Sequence, residues 1–115
     1  SGNLGALDML VEQDFYIGVD QDPALAKRLV AEASTSTRYA YLKKGWSVGI
    51  NQVMIDNYYA LRVRSNVYVL DVMYESALKT DVTERVMAAF REHGIHPPAV
   101  LHRHVDGGYS PANAS

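Results

Sequence analysis

Apolar and polar residues alternate between residues 11 and 19, with Phe15, Ile17 and Val19 in one phase and Tyr16 and Gly18 in the other. A period of two is that of a strand with one buried face. Asp20-Gln21-Asp22-Pro23 ends the alternation. Asp22 suits a helix N-cap and Pro23 the first helical position, where its missing N–H is harmless. Leu25, Leu29, Val30 and Ala33 then follow at helical spacing, which predicts a helix ending between Ala33 and Ser36. Residues 34–45 hold Ser34-Thr35-Ser36-Thr37 and Lys43-Lys44-Gly45, and read as a polar surface loop.

Residues 46–56 form the second predicted strand. Its apolar phase shifts between Ile50 and Val53, which predicts a bulge or a frayed half. Asp56-Asn57 suits a hairpin turn. In the long strand that follows, residues 58–72, Tyr59, Leu61 and Val63 alternate with Ala60, Arg62 and Arg64, and Val67 and Val69 continue the first phase. A second helix is predicted from Thr80 or Asp81 to His93, since Asp81 and Glu84 have capping-box spacing. Its buried stripe is Val82, Val86, Ala89 and Phe90, and Gly94 sits where a left-handed stop is expected. Residues 74–79 fit either an extra helical turn or a loop. Pro97 and Pro98 forbid a return to helix, so residues 99–106 read as a last strand and residues 107–115 as a disordered tail.

The order is strand, helix, strand, strand, helix, strand. Right-handed crossovers on one side of a four-stranded antiparallel sheet give an α+β, ferredoxin-like βαββαβ sandwich. The domain is expected over residues 11–106, after a leader or linker of residues 1–10. Both helices then cover one sheet face. The other face must meet solvent, a ligand or another subunit.

Composition narrows the classes. A chain of 115 residues fits one domain, and a net charge of -2 gives no reason to expect a phosphate-backbone partner. Without cysteine there is no disulfide framework, thiolate nucleophile or Cys-ligated metal. No apolar run approaches the roughly 18 residues of a membrane-spanning helix. No signal peptide is visible, and the Ser1-Gly2 start, without Met, suggests a fragment of something longer.

A family resemblance rests on four stretches. A strand runs into Ile17-Gly18-Val19-Asp20, with Asp22 two residues on. A Leu-rich helix follows. A hairpin ends in Leu61-Arg62-Val63-Arg64. Ala89-Phe90-Arg91-Glu92-His93-Gly94-Ile95 then leads through a proline into a strand. From Tyr16 to Val105 the chain resembles the C-terminal cytoplasmic subdomain of the small-conductance mechanosensitive channel (MscS) family, whose usual ending resembles AFxxxGIxxPxP plus strand. Gly94, Ile95 and Pro98 fit that ending; Pro97 is added, and Val100 replaces the second proline. The resemblance implies a homo-oligomer, seven copies forming the lower wall of a vestibule with side portals, on the cytoplasmic side of a prokaryotic inner membrane. It implies no catalysis and no cofactor. The family's membrane helices and middle domain have no counterpart in these residues, and gating would reside in them.

Candidate chemistry is thin. His93, His96, His102 and His104 invite a metal reading, since His102 and His104 share a strand face. No acidic or Cys ligand is fixed nearby by the sequence, Asp106 being in phase but near the end, so surface histidines are expected, with His93 favoured by the helix C-terminus. Asp20-x-Asp22 lacks the Gly and Glu of a calcium loop, and a cap explains Asp22 with less. The Ser34–Thr37 run lacks a P-loop's glycines and lysine, and no Ser sits in a Gly-x-Ser-x-Gly setting. Tyr58, Tyr59, Arg62 and Arg64 raise RNA recognition, but the basic-Gly-aromatic motif is missing. The arginines are expected to pair with carboxylates across the sheet or a subunit boundary. The eight tyrosines suit interface positions. Two rival classes are a stand-alone ACT-like ligand-binding module, dimeric through sheet edges, and an acylphosphatase-like enzyme, which needs an Arg and an Asn at an oxyanion loop, whereas no glycine-rich loop with an Arg follows the first strand. No catalytic, cofactor or metal residue is assigned.

Overall fold

β1 (Met9–Ile17), β2 (Trp46–Ile55) and β3 (Tyr58–Val69) form an antiparallel sheet in the order β1-β3-β2, with α1 (Pro23–Ser36) and α2 (Glu75–His93) packed on it. The computed structural model describes residues 9–98. The expected fourth strand over residues 99–106 lies outside the described residues, as do the tail and most of the leader.

β1 opens two residues earlier than its alternation indicated, because Met9 and Leu10 pair with Val69 and Tyr68. It also stops earlier. The Gly18 N–H donates to the His96 carbonyl at 3.0 Å, and residues 18–21 close a turn through Gln21 N–H to Gly18 O at 3.1 Å. The phase is lost there, so Val19, expected in the core, is 51% exposed. Asp22 caps α1 as expected, accepting from the N–H groups of Ala24 at 3.0 Å and Leu25 at 3.3 Å. Leu29, Val30 and Ala33 are buried, together with Ala26.

The polar run after α1 is not all surface. Ser34 lies inside the helix and Thr37 just after it, and both are buried. Ser34 Oγ and Ser65 Oγ share a hydrogen bond of 2.6 Å between α1 and the helix-facing side of β3. Neither the bulge nor the frayed half expected between Ile50 and Val53 is found. β2 pairs with β3 residue for residue from Trp46↔Val67 to Ile55↔Tyr58. The phase shift has another cause: past Ile50 the hairpin extends beyond the helices. Met54 and Tyr59, register partners on the helix side, are therefore exposed at 59% and 54%. The turn opens with Asp56 at φ 54°, a region that Asp tolerates better than most residues.

β3 ends at Val69, short of residue 72, because Asp71 turns the chain into a 3₁₀ turn over Val72–Tyr74 by accepting from the Met73 N–H at 3.0 Å. α2 follows directly from Glu75, which settles residues 75–79 as helix and corrects the predicted start at Thr80 or Asp81. Asp81 is mid-helix. It accepts from Arg85 Nε at 2.9 Å, one turn on, and from the Thr37 hydroxyl. That hydroxyl first, and Arg85 second, hold its carboxyl below the usual range.

Gly94 ends α2 at φ 72°, with Ile95 N–H donating to Phe90 O at 2.8 Å and Gly94 N–H to Arg91 O at 3.4 Å. These are the two bonds of a Schellman cap, and Ile95 folds into the core behind it. Gly94→Ala forces a side chain into the left-handed region and is expected to cost about 1 kcal/mol. A urea midpoint that falls with an unchanged m-value measures it.

The core lies between the helices and one sheet face. Val11, Phe15 and Ile17 of β1, Val63, Val67 and Val69 of β3, and Leu78, Val82, Val86 and Phe90 of α2 are all buried in it. The predicted helix stripe and the β3 phase from Val63 are both found.

Candidate functional site: an open sheet face and an apolar groove

Alternation along the three strands sends Leu10, Glu12, Asp14 and Tyr16 of β1 and Arg62, Arg64, Asn66 and Tyr68 of β3 to the side away from the helices. In register, Asp14 faces Arg64 and Tyr16 faces Arg62. Arg64 donates to Asp14 through Nε at 2.8 Å and Nη2 at 3.1 Å, a two-pronged pair. Of the two arginines expected to pair with carboxylates, Arg64 does so here, across the sheet. Hydrogen bonding from Arg64 chiefly, with its charge, holds the Asp14 carboxyl below the usual carboxylate range. A carboxyl with a lowered folded-state pKa adds stability above its unfolded value and loses it as pH falls through the folded one. Acid unfolding below about pH 4 is therefore expected to be less steep in Arg64→Met than in the parent, read as stability against pH.

Arg62 is differently placed. Its Nε is buried without a partner, while Nη2 reaches the Asn51 amide oxygen at 3.2 Å once that amide is oriented by its neighbours. Asn66 Nδ2 donates to Ser47 Oγ at 3.2 Å, and the Lys44 ammonium lies 4.9 Å from the centre of the Tyr68 ring. The face thus alternates paired charge with exposed apolar bodies, Leu10 at 43% and Tyr16 at 41%. Such a surface suits contact with protein.

Beside β1, an edge strand among the described residues, an apolar groove of about 300 Å³ opens beneath the last turn of α2. Tyr16, Met87, Phe90 and Ile95 line it, and Arg91 and His96 stand at its polar margin. The segment that bounds it is fixed by backbone: the His96 N–H donates to Gln21 Oε1 at 3.0 Å, and its carbonyl accepts from Gly18. Sequence reasoning missed this groove, because it is made where Met87 and Phe90 of α2 come beside Tyr16 of β1, a tertiary meeting that no local pattern marks.

The other candidates disperse. His93 Nδ1–H donates to the Ala89 carbonyl at 3.0 Å in the last turn of α2, the helix-end role expected of it. His96 is held by its backbone, while His102 and His104 lie outside the described residues. No three of His, Asp and Glu gather into a metal-sized group among the described residues. Asp20 accepts from Gln21 Nε2 at 3.1 Å, beside the Asp22 cap. Thr35 and Ser36 spend their hydroxyls on carbonyls of their own helix, Ala31 and Glu32. Tyr59 stands on the helix side of the sheet, so it cannot join Arg62 and Arg64 in a base-stacking platform.

No sequence-family profile matches the chain, and no curated protein matches it either. Similarity appears among solved structures. The crystal structure of Helicobacter pylori MscS in its closed state aligns with 90% of this chain at a TM-score of 0.65 and 12% identity. The cryo-EM structure of Arabidopsis thaliana MSL1 aligns with 82% at a TM-score of 0.58 and 11% identity. At such identities the likeness is one of fold. The chain has the fold of a part of these proteins, spanning 39% and 35% of their respective lengths. No described helix is long and apolar enough to cross a membrane.

Proposed function

We propose that this chain is the cytoplasmic end of an MscS-type mechanosensitive channel subunit, a structural piece of an oligomeric vestibule wall past which ions move. The fold shared with Helicobacter pylori MscS over 90% of the chain carries this reading. The surface supports it: the open sheet face offers an intramolecular ion pair and exposed tyrosine and leucine bodies, which is interface chemistry. On this reading the domain works without catalysis or cofactor, a ring of copies encloses the vestibule, and tension is sensed by membrane-embedded parts of the same subunit. The ring lies on the cytoplasmic side of a prokaryotic inner membrane. Seven copies, as the sequence resemblance implied, is the expected number.

The test is electrical. The full-length gene product is reconstituted into liposomes and patches are stretched by suction. Tension-activated conductance is expected. A product that sits in the bilayer yet stays silent at lytic tension would remove the channel reading.

A further inference from the structure

The β2–β3 hairpin and the groove beside β1 lie at the same end of the sheet, since Ile17, the last residue of β1, pairs with Leu61 only three positions beyond Tyr58, where the hairpin closes. They occupy opposite flanks, because β3 separates β1 from β2. The hairpin is a projecting apolar knob. Met54 and Tyr59 are side by side on it and more than half exposed, and its tip carries the carboxylate of Asp56. The groove is its complement: an apolar floor including Met87 and Phe90, with Arg91 and His96 at the rim. β2, an edge strand among the described residues, carries no charged residue and no proline. Natural edge strands commonly carry such guards, so an unguarded strand of this kind is suited to being covered.

We infer that the β2–β3 hairpin of one copy seats in the β1–α2 groove of the next, with Asp56 against Arg91 and His96. The knob and the groove are different surfaces of one molecule, so the contact is head-to-tail. Repeated by a closing rotation it makes a ring, whereas a self-complementary patch would stop at a dimer. Each copy contributes one knob and one groove, so every groove in the ring is filled. The inference rests on the proposed oligomeric function and adds the surface through which that oligomer is joined.

The absence of cysteine from these 115 residues makes the contact testable by cross-linking. Met54→Cys and Met87→Cys are introduced together into the full-length protein, with any cysteine elsewhere replaced, and the purified oligomer is treated with a mild oxidant. Non-reducing gels are expected to show a ladder of covalent multimers up to the subunit number, with neither single variant giving more than traces. Asp56→Asn, which keeps a residue tolerant of positive φ, is expected to slow cross-linking several-fold at low salt. An oligomer of unchanged native mass without the ladder, or with the disulfide closed inside one chain, overturns the contact and leaves the oligomeric reading intact. Rapid closure of Met87→Cys with Leu101→Cys within one chain overturns it as well, by assigning the groove to the chain's own C-terminal segment. A monomeric full-length protein sinks both.

Discussion

Leu78→Ala is expected to lower the unfolding free energy by about 3 kcal/mol, the middle of the range for truncating a fully buried leucine. Leu78 has no exposed surface and belongs to the cluster that joins α2 to the sheet. In a domain of this size about 3 kcal/mol corresponds to a fall in Tm of more than 10 °C. The variant separates two descriptions of the chain. With a helix starting at Thr80 or Asp81, Leu78 sits in a connecting loop and its truncation costs little. With α2 starting at Glu75, it forms the first inward turn of the helix and truncation leaves a cavity. Calorimetry of the single variant decides between them.

The second large effect concerns the Ser34–Ser65 pair, each residue 1% exposed and joined at 2.6 Å. Changing one serine to alanine leaves the other hydroxyl buried against aliphatic side chains. Each single change is expected to cost about 2 kcal/mol, the penalty of an unsatisfied buried polar group. Replacing both removes the orphan together with the bond, so the double variant should lie closer to the parent than the two single losses summed. A double-mutant cycle with a coupling of about 1–2 kcal/mol is the expected outcome. Strict additivity would mean that the hydroxyls find other partners when separated.

What was legible in the sequence divides along physical lines. Elements whose cause is local were readable: the Asp22 cap, the Gly94 stop, the Val63–Val67–Val69 phase and the Val82–Val86–Phe90 stripe all depend on neighbours within a few residues. The misses come from tertiary context. Asp81 and Glu84 have capping spacing, but Leu78 and Val82 bury on the same face, and that burial carries the helix a turn and more past the apparent cap. The apolar shift in β2 resembles a bulge because sequence cannot show where the covering helices stop; the strand stays in register while its burial fades. Ser34 reads as surface because nothing local reveals Ser65 across from it. Of the open face, the charges were visible in advance and the Asp14–Arg64 register was not. The groove was invisible for the same reason: it is made by two elements meeting at an edge.

If this domain works by fitting against copies of itself, the full-length protein must be an oligomer of fixed size. Native mass spectrometry of that protein, released from lipid or mild detergent, tests this most directly. A single species at a fixed multiple of the subunit mass, with seven the expected multiple, is the predicted result. A monomer that persists at micromolar concentration in lipid would contradict it.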